Sequence, residues 1–142
     1  MTSYYKEAVV DSVVWIGAKS KKDQYKESCK GIIDSFLKKD IKKIFVTDYI
    51  VLETVSFLLA RSGFDEAHEA LIMFLQNDRI EIVFVDELML EAAKELFEKY
   101  KGLSIADCSI IALMKEKNIK HLFSMDSGFD KVKGIIRKET IN

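Results

Sequence analysis

The chain has 142 residues, of which 49% are hydrophobic and 32% are charged, and its formal net charge is −1. This balance excludes an intrinsically disordered chain, and the near-neutral charge gives no sign of a generally basic nucleic-acid coat. No apolar run approaches the roughly 20 residues of a membrane span, and no signal peptide opens the chain. We therefore expect a single domain over residues 1–142 with no membrane segment.

The cysteine and histidine content bounds the chemistry further. The two cysteines, Cys29 and Cys108, lie far apart without a C-x-x-C pattern, and the chain has only two histidines. This usage argues against a structural zinc site or a disulfide framework and favours a reducing, cytoplasmic compartment.

Apolar patterning alternates along the chain between short β-branched runs and longer stretches of helical period. KKIFVTD and RIEIVFVD are typical of buried strands, whereas FDEAHEALIMFLQND and ELMLEAAKELFEKY have the apolar spacing of amphipathic helices. The predicted elements are, in chain order, a strand and a turn or short helix over 7–18, an amphipathic helix within 18–40, a strand over 42–48, helices over 49–63 and 64–78, an interior strand over 79–86, helices over 87–100 and 105–117, a strand over 120–126 and an edge strand within 134–141. This alternation predicts an α/β fold of three layers, with a central, mostly parallel sheet of about five strands and helices on both faces.

Capping residues stand at the predicted helix ends. Thr47 or Asp48 is placed to begin one helix, and Gly63 is placed to end it. Asp86 and Ser104 precede two further helices in the same way. These residues set the expected boundaries between strands and helices.

Four carboxylates interrupt apolar segments that belong to four different predicted elements: Asp11, Glu53, Asp107 and Asp126. A carboxylate removed from water is costly unless it is hydrogen-bonded, paired or bound to a cation. Asp11 and Asp126 lie at or near carboxyl ends of strands, where parallel sheets collect their ligands. A divalent cation would relieve repulsion among such acids, and Mg²⁺ or Mn²⁺ prefers carboxylate oxygens. An acid-only metal site favours metal-dependent phosphodiester hydrolysis.

Each acid also has a purely structural explanation. Asp107 fits an S-x-x-D capping box with Ser104, Asp126 precedes Ser-Gly and could begin a turn, and Asp11 could cap the helix that follows it. Neither a cap nor a turn accounts for Glu53, for which an exposed helix face is the alternative. The four acids together, more than any one of them, indicate a functional site.

The segments around these acids resemble the PIN-domain ribonucleases, especially the VapC-like toxins of prokaryotic toxin–antitoxin pairs. VVDSVVWI resembles the first motif of that family, VTDYIVLETVSFLL the second, LSIADCSIIALMKEKNI the third and LFSMDSGFDKVKGI the fourth. No single motif is specific, but the four occur in order and cover nearly the whole chain.

The resemblance implies an endoribonuclease with an acidic Mg²⁺ or Mn²⁺ site in a PIN-like fold. It further implies an RNA substrate, a homodimer and an antitoxin protein that inserts a segment into the cleft. The implied catalytic and metal-binding residues are Asp11, Glu53, Asp107 and Asp126, with Asp130 as a possible assisting acid, and the implied supporting hydroxyls are Ser12 and Ser124.

Three lysines close to the first motif are candidate contacts for RNA phosphates: Lys19, Lys21 and Lys22. A solvated start of the following helix is the favoured explanation. Which of these two roles the lysines have is left open by the sequence.

Three rival functions fit parts of the pattern. DSGFD resembles the metal motif of haloacid-dehalogenase-like phosphatases, but Val13 stands where that chemistry needs a second aspartate. A phosphoacceptor receiver domain would group two acids at the first strand, where this chain has Asp11 alone. The third rival is a PIN-fold RNA-processing or RNA-binding protein without a toxin role, and retention of all four acids favours an active enzyme over a binding module.

Overall fold

The computed structural model describes residues 4–20 and 24–142. Its centre is a sheet in which all neighbouring strands are parallel, in the order β3-β2-β1-β4-β5. The strands are β1 (Tyr5–Val10), β2 (Ile41–Thr47), β3 (Ile80–Val83), β4 (His121–Phe123) and β5 (Ile136–Lys138). The helices are α1 (Ser12–Lys19), α2 (Lys26–Leu37), α3 (Asp48–Ser62), α4 (Phe64–Gln76), α5 (Glu87–Lys99) and α6 (Ile105–Lys117), and a 3-10 helix covers Ser127–Lys131.

The strand order places a switch point between β1 and β4. The chain runs outward from β1 to β2 and β3 and then returns to the other side of β1. Because crossovers between parallel strands are right-handed, the outward and returning crossovers put their helices on opposite faces of the sheet. The predicted three-layer α/β fold with helices on both faces is confirmed. A crevice forms where strand order reverses, so the carboxyl ends of β1 and β4 are the expected place for a ligand.

Central strand β1 is buried on both faces, and it fixes the helix that follows it. Ala8, Val9 and Val10 are fully buried, as a strand in the middle of a parallel sheet requires. The indole Nε1 of Trp15 in α1 donates to the Val10 carbonyl at 3.0 Å, and the Trp15 ring meets Phe74 of α4 edge-on. The start of α1 is therefore held against the end of β1.

The predicted caps are confirmed. Thr47, and not Asp48, begins α3, where its Oγ1 accepts from the Ile50 N–H at 3.1 Å. Gly63 ends α3 with a positive φ of 96°. The Asp86 carboxylate accepts from the Met89 N–H at 2.9 Å to begin α5, and Ser104 begins α6 in the same manner.

Two predictions about strands were wrong. RIEIVFVD is not an interior strand: β3 has four residues and forms an edge of the sheet, with Glu81 paired to Lys43 and Phe84 exposed beyond its end. The apolar residues of β3 pack against helix α4, and β3 has only one neighbouring strand among the described residues, β2. The strand in KHLFSMD ends at Phe123, three residues before Asp126, because the chain then turns into the 3-10 helix.

Membrane association through a spanning helix finds no support in the fold. Within residues 4–20 and 24–142, none of the helices has both the length and the apolar character that crossing a bilayer requires.

Candidate acidic site

Asp11 lies at the end of β1 and begins α1. One carboxylate oxygen, Oδ1, accepts from the Ser12 backbone N–H at 2.8 Å, and Oδ2 accepts from the Ser124 hydroxyl at 2.8 Å. The Asp11 N–H in turn donates to the Phe123 carbonyl at 3.0 Å, which ties β1 to β4. The residue is only 7% exposed, so a titratable carboxyl group is buried at the switch point of the sheet.

Burial dominates the electrostatics of Asp11. Removal from water raises the pKa of the Asp11 carboxyl from 3.8 to about 6, the two hydrogen bonds lower it, and the charges of Asp107 and Glu53 raise it further. The neighbouring charges matter for the chemistry, because they show that acids from three different elements act on one another here.

The hydroxyl group of Ser124 links Asp11 to the fourth acidic segment. Ser124 is fully buried, and its Oγ donates to Asp11 and accepts from the Asp126 N–H at 3.1 Å. Asp126 begins the 3-10 helix, where its Oδ1 accepts from the Gly128 N–H at 2.8 Å, and the side chain is exposed. The predicted turn at Asp126 is thus present, and its carboxylate points from that turn toward solvent.

Glu53 lies in the second turn of α3 and is exposed. Its Oε1 accepts from the buried Ser12 hydroxyl, and its Oε2 accepts from the Tyr49 hydroxyl at 3.0 Å. This hydrogen bond, followed by the charges of Glu53 and Asp107, raises the pKa of Tyr49, so the phenol remains a donor. Ser12 therefore connects the first and second motifs through Asp11 and Glu53.

Asp107 lies in the first turn of α6 and is half-buried. The Asp107 N–H donates to Ser104 Oγ at 3.0 Å, as expected for a capping box. Burial raises the pKa of the Asp107 carboxyl, hydrogen bonds from Ser104 lower it, and the charges of Asp126 and Glu53 raise it. The next residue, Cys108, is fully buried, and burial raises the pKa of its thiol, which keeps it a neutral packing residue.

The four acids are electrostatic neighbours without forming a closed metal shell. In the part of the chain that the structure describes, no three His, Cys, Asp or Glu side chains converge at metal-binding distance. The carboxylates are oriented by hydroxyl and backbone donors instead, and their mutual repulsion is the cost that a cation would remove. An all-oxygen set of carboxylates suits Mg²⁺ or Mn²⁺, so the residues present fit such an ion chemically.

Asp130 is paired with Arg137. Its two carboxylate oxygens accept from Nε and Nη2 of Arg137 at 2.8 and 3.1 Å, and this pair lowers the pKa of Asp130. Arg137 also donates from Nη1 to the Ser124 carbonyl at 3.1 Å. Asp130 therefore anchors the fourth motif through Arg137, and its role as an assisting acid stays a prediction.

Of the three candidate lysines, Lys19 lies among the described residues. The Lys19 Nζ lies 3.2 Å from a Glu66 carboxylate oxygen and 3.0 Å from one of Glu69. Its charge is therefore shared with two acids of α4, and contact with RNA phosphate stays a prediction. Lys21 and Lys22 lie outside the described residues.

Sequence reasoning missed three residues of the site. Tyr49 holds Glu53, and a tyrosine four residues before a glutamate on a predicted helix was the available signal. Arg137 could not be found, because its partner depends on the register of β5. At Gly128 an added Cβ would lie 3.0 Å from Asp126 Oδ1 and 3.2 Å from Leu103 Cδ2, so a side chain there would have to displace the Asp126 carboxylate or Leu103.

Fold and site together define a protein of the parallel α/β class with an acidic crevice at the switch point of its sheet. Residues 8–135 match the PIN domain family, and the chain belongs to this family. This membership agrees with the order of the four acidic motifs and decides against the phosphatase and receiver alternatives. No match was found among curated protein sequences.

Solved structures with the same fold include VapC toxins. VapC20 from Mycobacterium tuberculosis, a toxin that cleaves the sarcin-ricin loop, superposes with a TM-score of 0.74 at 20% identity, over 87% of this chain and 92% of that one. A toxin–antitoxin complex from Klebsiella pneumoniae gives 0.69 at 15% identity, over 91% and 95%. VapBC2 from Rickettsia felis, bound to a DNA fragment from its promoter, gives 0.65 at 16% identity, over 93% and 97%. The chain therefore has the fold of VapC toxins.

Proposed function

We propose that this protein is a metal-dependent endoribonuclease that hydrolyses RNA phosphodiester bonds at the cluster of Asp11, Glu53, Asp107 and Asp126. The observation that carries the proposal is the buried carboxyl of Asp11, whose pKa is raised to about 6 by burial and by the charges of Asp107 and Glu53. In a family of nucleases, a carboxyl group kept buried at this cost favours a bound cation or substrate that offsets the cost.

The chain's own residues orient the acids for this task. Ser12 and Ser124 fix the carboxylates of Glu53 and Asp11 through their hydroxyl groups. The Gly128 N–H holds the Asp126 carboxylate in the same way, and hydrogen bonds from Ser104 act on the Asp107 carboxylate. A bound Mg²⁺ or Mn²⁺ would lower the pKa of the attacking water and offset the charge of the phosphate. Preorganised carboxylates spare the ion the cost of ordering its own ligands.

A toxin role in the cytoplasm follows as part of the same proposal. Several proteins with this fold were solved as toxin–antitoxin complexes. We extend that role to this chain, with an antitoxin protein as partner and a homodimer as the working assembly. RNA processing or RNA binding without a toxin role is the alternative, and it shares the fold and the acids.

The direct test is cleavage of a mixed RNA pool by purified protein with Mg²⁺, with Mn²⁺ and with a chelator. We expect cleavage that needs the metal and falls by more than about 100-fold in Asp11→Asn and Asp107→Asn, since each removes a charged metal ligand. The matched control is Asp78→Asn, an exposed aspartate in the turn before β3, which should cleave like the parent chain.

Calorimetric titration with Mn²⁺ distinguishes the alternatives. Metal-dependent cleavage lost in both cluster variants supports the proposal. Metal binding and RNA binding without cleavage of any RNA would favour the non-catalytic alternative. Cleavage that persists in both variants, or in the chelator, would contradict the proposed site.

A further inference from the structure

A pocket with a volume of about 310 Å³ is lined in part by residues that adjoin the acidic cluster in sequence. Its described lining consists of Val13, Gln24, Tyr25 and Met125. This volume lies at the lower end of the range for small-ligand pockets, which suits a single ring system better than a large ligand.

The walls of the pocket are continuous with the acidic site. Val13 follows Ser12, whose hydroxyl holds Glu53, and Met125 lies between Ser124 and Asp126. The hydrogen bonds that place the carboxylates therefore also place these two side chains.

The third wall is carried by the start of α2. The Tyr25 carbonyl accepts from the Cys29 N–H at 2.9 Å, and the buried Cys29 thiol lies 3.9 Å from the Val13 carbonyl. Helix α2 is thereby held against α1, so the start of α2 brings Tyr25 to the same pocket as Val13. The ring remains 41% exposed, so one part of it is available to a ligand.

The chemistry of the lining matches a nucleobase. The four described side chains of the lining carry no charge. An aromatic ring offers a stacking surface for any base, the thioether and isopropyl groups pack against a flat ring, and the amide of Gln24 both donates and accepts hydrogen bonds on a base edge. Single-stranded RNA is recognised through such splayed bases.

We propose that this pocket binds the base of a nucleotide adjacent to the phosphodiester that is cut. Tyr25 stacks on the base, Val13 and Met125 pack against its edge and face, and Gln24 reads its hydrogen-bonding groups. The inference rests on the proposed nuclease function and adds to it a place where sequence preference arises.

The test measures cleavage of a randomised oligoribonucleotide pool and sequences the ends that are produced. We expect the parent chain to prefer certain bases at one position next to the cut. Tyr25→Leu should lower kcat/KM about tenfold, the range that loss of one stacked base produces. Tyr25→Phe keeps the ring and should restore the rate, and Gln24→Leu should change the preference at that position alone.

Tyr4→Leu is the matched control. Tyr4 is an exposed tyrosine of 59% accessibility just before β1, at the end of the strand opposite to Asp11. Its loss should leave rate and preference unchanged. Mn²⁺ affinity should be the same in the parent chain and in the Tyr25 and Gln24 variants, since none of them touches a carboxylate of the cluster.

Stacking is detected separately by quenching of 2-aminopurine placed next to the scissile position, with the Asp107→Asn chain as a non-cleaving binder. Quenching that is lost in Asp107→Asn/Tyr25→Leu supports the inference.

If the parent chain cleaves and Tyr25→Leu cleaves equally fast with the same preference, the pocket inference fails and the nuclease stands. Unchanged cleavage with weaker binding of a partner polypeptide would overturn it in favour of a protein ligand. Absence of metal-dependent cleavage and of quenching would overturn both.

Discussion

At the scale of single residues, capping and catalysis place the same demand on a carboxylate. Asp11, Asp107 and Asp126 each stand at a helix or 3-10 helix start, as the structural alternatives predicted, and Asp107 also interacts with the charges of the other two. A cap fixes the rotamer of a short acid, and a metal ligand needs a fixed rotamer. The structural and functional explanations of these acids are therefore compatible.

The charge of Asp11 should destabilise the metal-free protein. Because the folded pKa, about 6, lies above the usual 3.8, the penalty is absent below the lower value, grows as the pH rises and is complete above the higher one. At 1.36 kcal/mol per pH unit, the full penalty is roughly 3 kcal/mol. We expect Asp11→Asn to raise the free energy of unfolding at neutral pH, by an amount that shrinks toward zero near pH 4.

Urea unfolding across this pH range, in chelator, measures the effect. Asp78→Asn provides a control that changes an exposed carboxylate and should show no comparable trend. A less stable Asp11→Asn protein at neutral pH would mean that the hydrogen bonds from Ser12 and Ser124 outweigh the cost of burial.

Thr54 gives a second prediction at this scale. Among the described residues, it is the one whose buried side-chain oxygen lacks a hydrogen-bond partner, and the residue is fully buried. Thr54→Val keeps the shape and removes the unsatisfied hydroxyl, so we expect an increase in unfolding free energy of about 1 kcal/mol. Thermal unfolding with unchanged RNA cleavage would agree, whereas a loss of stability would show that the hydroxyl has a partner such as ordered water.

At the scale of elements, the sequence predicted the features that depend on neighbouring residues, such as helix caps. The caps at Thr47, Asp86 and Ser104 depend on residues within one turn, and they could be read from the sequence. The edge position of β3 and the pairing of Arg137 with Asp130 depend on strand order and on the register of β5. No pattern within a single segment carries that information, and the bonds from Ser12 to Glu53 and from Ser124 to Asp11 were suggested only by resemblance.

One side chain, Arg137, binds both ends of the segment from Ser124 to Asp130. Arg137 binds the Ser124 carbonyl at its start and the Asp130 carboxylate at its end, with Asp126 between them. We expect Arg137→Gln to loosen this segment and weaken Mn²⁺ binding by about tenfold to a hundredfold, as loss of an outer hydrogen bond does in metal sites. Arg137→Lys keeps the charge but not the paired geometry, and it should restore only part of the affinity.

Calorimetry with Mn²⁺ tests the role of Arg137. Lys138→Gln removes the same charge one residue further along β5, so it controls for a general change in potential. Equal Mn²⁺ affinity in Arg137→Gln and the parent chain would show that the turn holds Asp126 without the arginine.

At the scale of the whole molecule, the fold collects residues that are distant in sequence at one end of the sheet. Asp11 and Ser124 are 113 positions apart and share a hydrogen bond because β1 and β4 are neighbours. The family motifs predicted this assembly in outline, since each motif follows or begins an element. The pocket beside it could not be predicted, because its walls come from three segments whose spacing only the packing of α1 and α2 determines.

The outer face of α3 leads to the last prediction. Leu52, Val55 and Leu59 share one side of this helix, and the two leucines are 64% and 54% exposed. Burial of one such leucine contributes about 1.5–3 kcal/mol, and a two-fold interface uses each contact twice. If the proposed homodimer forms through α3, Leu59→Glu should convert it to monomer in sedimentation velocity, whereas Leu75→Glu, equally exposed on α4, should not. A monomeric parent chain, or a Leu59→Glu protein that remains dimeric, would place the assembly elsewhere.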